Sequence, residues 1–176
     1  MVKNDYAGRT LHKLHEVVGH LIEGSLSPDY RLIRDMACGG TQQIPLFCSE
    51  VKSNETEYCN VDLLVIRDGT IRVIVEIEES DVKPTQICGK FLTSALSRYY
   101  IHESENNVPI GMHDFVAFIQ VLDTSKLKKE AAKFEQFQNL ERSINNVLPI
   151  RGSNIKEYKL FTDLELSELV NYIAKI

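Results

Sequence analysis

Asn60-Val61-Asp62-Leu63-Leu64-Val65-Ile66 and Ile71-Arg72-Val73-Ile74-Val75-Glu76-Ile77-Glu78-Glu79, with Asp68-Gly69 between them, decide the fold of this chain. An Asp-Gly pair flanked by β-rich runs signals a hairpin, because a tight turn needs positive φ at its central residues. The hairpin sets the Asp62 strand beside the Glu76 strand. Side chains alternate along a strand, so Glu76 and Glu78 share a face, and Asp62 reaches it if the register allows. Val73, Ile74 and Val75 are apolar without alternation, the pattern of a strand covered on both faces. A carboxylate emerging from such a strand is partly desolvated, which is costly unless it is paired or binds a metal. Clustered carboxylates repel one another, and a hard divalent cation such as Mg²⁺ relieves the repulsion. Solvation or an ion pair is the competing reading for acids at a strand end, and Glu79 and Asp81 are read as solvated.

The chain has 176 residues, a length that suits one domain, 1–176, with a proper core. The formal net charge is −5, which argues against coating nucleic acid through overall charge. A local basic groove is still compatible with that balance. Lys126, Lys128, Lys129 and Lys133 supply one candidate, against the alternative of a solvated helix face shared with Glu130 and Glu135. Cys38, Cys48, Cys59 and Cys88 form no Cys-x-x-Cys pair, so they read as small thiols in a reducing compartment and not as a zinc site. No apolar run is long enough to span a bilayer, so no membrane partner is expected. The first residues lack the apolar core of a secretory signal, which predicts a cytoplasmic address.

Leu11, Leu14, Val18, Leu21 and Ile22 recur at helical spacing and predict a helix over Thr10–Glu23. Ser27 to Thr41 reads as irregular. Ile44–Cys48 reads as a short strand, with Pro45 marking an edge or a strand start. A helix is predicted from Thr85 to about Tyr100, a loop over Glu103–Gly111, and a buried strand over Phe115–Leu122. Thr124 or Ser125 caps a helix running to about Ile144. Tyr158–Phe161 is a last strand, and Thr162 or Asp163 caps a final helix. The order is helix, three strands, helix, strand, helix, strand, helix. Strand–helix–strand connections favour parallel partners and the hairpin is antiparallel, so the sheet is mixed, with helices on its faces.

An Asp near the start of one strand, then a hairpin, then Glu-x-Glu on the next strand, a helix and a buried strand resembles the PD-(D/E)XK nuclease superfamily. The resemblance covers roughly Leu11 to Leu122. It implies an α/β fold with a restriction-endonuclease-like αβββαβ core, here followed by helix–strand–helix. It also implies metal-dependent endonuclease activity on DNA, with RNA not excluded. Asp62 and Glu76 stand at the metal-binding positions, joined by the backbone carbonyl of Ile77. Glu78 stands where the family usually has Lys, so the resemblance gives it a second metal or the attacking water. In divergent members the Lys moves to the following helix. Lys90 takes that part here, with Gln86 one turn before it and Lys83 as the second candidate. The implied cofactor is Mg²⁺, with Mn²⁺ as a substitute. Glu16 and Glu23 of the first helix are further acids, but they lie opposite its apolar stripe, which favours plain solvation.

Rival readings are weaker. His15-Glu16-Val17-Val18-Gly19-His20 approximates a zinc-peptidase motif, but its histidines are one residue too far apart to share a metal on one helical face, and they read as surface residues. No Gly-rich phosphate loop or Gly-x-Ser-x-Gly elbow is present. The Glu at the usual Lys position leaves one serious alternative: a nuclease fold that binds nucleic acid or assembles without cutting. Double-strand cutting would call for two active sites and hence a homodimer, with Tyr99-Tyr100 or the C-terminal helix as the interface or, equally, as core.

Overall fold

The computed structural model describes residues 13–79, 82–125 and 131–176. Asp81, Lys126, Lys128, Lys129 and Glu130, singled out above, lie outside these, as do the first residues of the predicted N-terminal helix. Among the described residues are four α-helices and one mixed sheet of eight strands. In chain order they are α1 (Lys13–Glu23), β1 (Tyr30–Arg34), β2 (Pro45–Phe47), β3 (Glu57–Asn60), β4 (Leu63–Arg67), β5 (Thr70–Glu78), α2 (Pro84–Leu96), β6 (Tyr99–Tyr100), β7 (Ile110–Leu122), α3 (Ala131–Val147), β8 (Ile155–Thr162) and α4 (Leu166–Ile173).

The hairpin forms as its sequence dictates. Arg67 pairs with Thr70, and Asp68 and Gly69 turn the chain at φ 51° and 71°, the doubly left-handed geometry of a tight hairpin turn. β1 and β5 flank β4 antiparallel, β5 runs parallel to β7 after the α2 crossover, and β8 extends the parallel part beyond β7. The long β7 also pairs near its start with β6, which leads through β2 to β3 at the other edge.

Both faces of the central strands are covered. Val73, Val75 and Ile77 pack with Val18 and Ile22 of α1 and Leu169 and Ile173 of α4. Leu64, Ile66, Ile74, Phe118 and Leu122 pack on the other face with Ile87, Phe91 and Ala95 of α2 and Phe137 and Ile144 of α3. This double cover is why β5 shows no alternation of polarity.

Several expectations are corrected. The stretch read as irregular contains β1, the outer partner of β4, so the Ile44–Cys48 segment is not the first strand of the central meander. Pro45–Phe47 belongs instead to the side ladder with β3 and β6. The second helix stops at Leu96 because Ser97 turns extended, and Tyr99–Tyr100 then forms β6. Tyr100 is core, fully buried. The predicted loop after it is cut short by β7, which starts at Ile110. The last helix is not capped by Thr162 or Asp163. Its N-cap is Glu165, whose carboxylate accepts from Thr162 N–H and Oγ1, while Asp163 accepts from Thr124.

No described helix is long and apolar enough to cross a membrane.

Candidate functional site

The antiparallel register Leu63↔Val75 leaves Asp62 one step beyond, across from Glu76 where the strands part. Parallel register sets Glu76 beside Gln120 of β7. Glu76, Glu78 and Gln120 alternate with the residues of one core and therefore face the other, toward α2. Glu76 is 1 % exposed and Glu78 8 %.

Asp62 is fixed by the backbone. Its Oδ2 accepts the Ile77 N–H at 2.6 Å. Within a strand a residue's N–H and C=O project to the same edge, so the Ile77 carbonyl also faces Asp62. His15 Nε2 approaches the same Asp62 oxygen at 3.7 Å, and its Nδ1 lies 3.1 Å from Glu79 Oε1. Glu79 Oε1 also accepts the His15 backbone N–H at 2.8 Å. Neither residue matches its sequence reading. His15 is a buried link between α1 and the end of β5, not a surface histidine, and Glu79 is engaged, not merely solvated. His20 is exposed and pairs with Glu23 and Arg34, so the two histidines do not meet. Glu16 and Glu23 are both exposed.

Lys90 reaches the acids from the second turn of α2. Its Nζ lies 3.0 Å from Glu76 Oε2 and 2.8 Å from Glu78 Oε1. Lys83 is exposed at the N-cap of α2, and Gln86 accepts its backbone N–H, which ties Gln86 to the helix start.

The charges do not balance. Asp62, Glu76 and Glu78 face one ammonium. Burial, and then the neighbouring Asp62 carboxylate, push the Glu76 carboxyl well above its ordinary range, and the Lys90 ammonium only partly opposes them. Burial alone would lower Lys90, but Glu76, Glu78 and Asp62 together raise it, so it stays charged. The crowded, buried Glu76 carboxyl thus holds its proton more tightly than a free carboxyl does, beside a Lys90 ammonium that the acids keep charged. Glu76 Oε1 is buried without a hydrogen-bond partner.

Two carboxylates and the Ile77 carbonyl offer oxygen only, the donor set that Mg²⁺ and Mn²⁺ take and that softer metals do not prefer. The fit is limited to that set. Among the described residues no group of three or more His, Cys, Asp and Glu side chains could hold a metal ion, and Glu78 is drawn to Lys90.

No protein-family model, no curated protein and no solved structure matches this chain.

Proposed function

We propose that this chain is a divalent-metal-dependent endonuclease with a restriction-endonuclease-like core, hydrolysing phosphodiester bonds of nucleic acid, DNA first. The observation that carries the reading is Lys90. It rises from α2 to bridge Glu76 and Glu78, with Asp62 across the hairpin from Glu76. One lysine, two acids from adjacent strands and an inward-facing carbonyl make up the constellation such a nuclease needs. With the side ladder of β2, β3 and β6 set aside, the path α1, β1, β4, β5, α2, β7 has an antiparallel meander followed by a parallel crossover strand, an αβββαβ order that supports the same reading.

Asp62, Glu76 and the Ile77 carbonyl would hold Mg²⁺, which would supply Lewis acidity to a phosphate oxygen and a bound water. The chain's own groups do the rest. The Ile77 N–H holds Asp62 in a single orientation. Glu76, held opposite Asp62 at the strand end, would supply the second carboxylate. Glu78 holds Lys90 charged, so that its ammonium can offset the negative charge that builds on the phosphate in the transition state.

The test is incubation of plasmid, single-stranded DNA and RNA with Mg²⁺, Mn²⁺ or EDTA, comparing the wild-type chain with Asp62→Ala and Glu76→Ala. The expected result is cleavage that needs metal and is lost in both variants while their folded spectra persist. Metal-dependent cleavage retained by Asp62→Ala would refute the assignment. A second reading, a non-cutting module that binds nucleic acid, is favoured by one feature: Lys90 already occupies two of the three acids. It predicts binding without cleavage in every metal.

A further inference from the structure

Gln120 is a lone amide inside an otherwise apolar strand run, Phe115–Leu122, and it is 0 % exposed. Burying an amide there is costly unless its groups are used. One of them is. Tyr158 of β8 donates its hydroxyl to Gln120 Oε1 at 2.7 Å. The Tyr158 ring is held edge-on to Phe91 and stacked on Phe118, so it has little freedom to turn away. Burial pushes its hydroxyl upward in pKa, so it remains a donor.

A planar amide carries its oxygen and its nitrogen on different sides of its axis, and Tyr158 occupies the oxygen. Tyr158 comes from β8, on one side of β7, and β5 lies on the other. Gln120 Nε2 is buried and unpartnered. The residue beside it in register on β5 is Glu76, whose Oε1 is also buried and unpartnered. An orphaned donor and an orphaned acceptor thus stand on neighbouring strands and share a face. Two such groups are ordinarily joined directly or by one buried water.

We propose that Gln120, locked by Tyr158, is a positioning residue that donates from Nε2 to Oε1 of Glu76 through a single buried water. The consequence for metal binding rests on the reading of Glu76 as a ligand, but the contact itself does not. The Tyr158–Gln120 pair fixes the plane of the Glu76 carboxyl and leaves Oε2 for Lys90. Hydrogen-bonded supports of this kind typically change metal affinity by roughly 10–100-fold when removed.

The experiment has two arms, both on the full chain. In the first, the Gln120 side-chain amide is followed by ¹⁵N NMR without metal, in the wild type, Glu76→Gln and Tyr158→Phe. Both substitutions should move its signals. Signals that respond to Tyr158→Phe and ignore Glu76→Gln would overturn the proposal. In the second, Mn²⁺ binding is measured by calorimetry. Gln120→Leu should weaken it by roughly 10–100-fold, with Tyr158→Phe moving it in the same direction. Unchanged affinity in both variants would overturn the positioning role. Tyr158→Phe keeps the ring packing, so the test stands if Gln120→Leu does not fold. A wild-type chain that binds no Mn²⁺ but shows the amide response would sink the metal reading and leave the contact intact.

Discussion

Lys90 is the residue on which the acidic site balances. Among the described residues it is the cation paired with both Glu76 and Glu78, and its side chain is 37 % exposed while those of the acids are nearly buried. Replacing it with Met would leave Glu78 with a buried, uncompensated charge. Breaking a fully buried pair costs about 3–5 kcal/mol, and the partial exposure of the ammonium reduces this to about 2–3 kcal/mol. Lys90→Met should therefore lower stability in urea denaturation, and adding Glu78→Gln should restore part of the loss. A double variant no more stable than Lys90→Met would show that Glu78 is not the partner that matters. The acids and Lys90 were legible because each breaks a local pattern: a carboxylate after a two-sided apolar run, a lysine one turn after Gln86 on a helix. His15 was as legible in principle. It lies three residues before Val18 and four after Leu11, on the apolar stripe, and its position near the motif-like His20 drew attention to the wrong comparison. Gln120 carried the same kind of signal, a polar residue inside a buried strand. Tyr158 carried none, because an aromatic residue in a strand is ordinary and only the neighbouring strand shows where its hydroxyl goes.

At the scale of elements, α1 is held against the loop after β1 by closeness that only glycine permits. A Cβ on Gly19 would lie 2.4 Å from the Cys38 carbonyl oxygen, which belongs to rigid backbone. A Cβ on Gly89, in α2, would meet nothing within 4 Å. Two alanine substitutions in helices should thus have opposite signs. Gly89→Ala should raise stability by about 0.5–1 kcal/mol, the difference in helix propensity. Gly19→Ala should lower it by about 1–3 kcal/mol through overpacking, and displace the helix that carries His15 toward Asp62. Equal effects in thermal denaturation would contradict the close approach. The same scale explains which elements could be read from the sequence. The hairpin, α2 and β7 follow from local signals: Asp-Gly with positive φ, Pro84 at a helix start, a long apolar run. β1 could not be read so, because Tyr30-Arg31-Leu32-Ile33-Arg34 is short, carries two arginines and follows Pro28-Asp29. It is a strand because β4 offers it an edge. β6 is likewise made by its neighbours, since Tyr99 and Tyr100 pair with Gly111 and Ile110 and continue no local pattern.

At the scale of the whole molecule, the sheet separates two apolar cores, and the polar groups from Asp62 to Tyr158 form a seam along one of them. Such a seam couples the stability of the fold to pH. The folded-state pKa of Glu76 is raised above its unfolded value, chiefly by burial. The native state therefore holds a proton that the unfolded chain releases at ordinary carboxylate pH. Stability from this source is fully present below the unfolded pKa, about 4.3, and is lost as pH rises through the raised folded value. Between the two the slope approaches about 1.4 kcal/mol per pH unit for one proton. In EDTA the chain should lose stability as pH rises across that window, and Glu76→Gln, which cannot ionise, should flatten the dependence. Mg²⁺ should act in the opposite sense, stabilising more at higher pH because its entry displaces the same proton. Denaturation curves recorded across pH, with EDTA and with Mg²⁺, test both halves together. Parallel curves for the wild type and Glu76→Gln would mean that Glu76 is ionised in the native protein. Three ionised carboxylates would then share the Lys90 ammonium, and the pH dependence expected from Glu76 would fail.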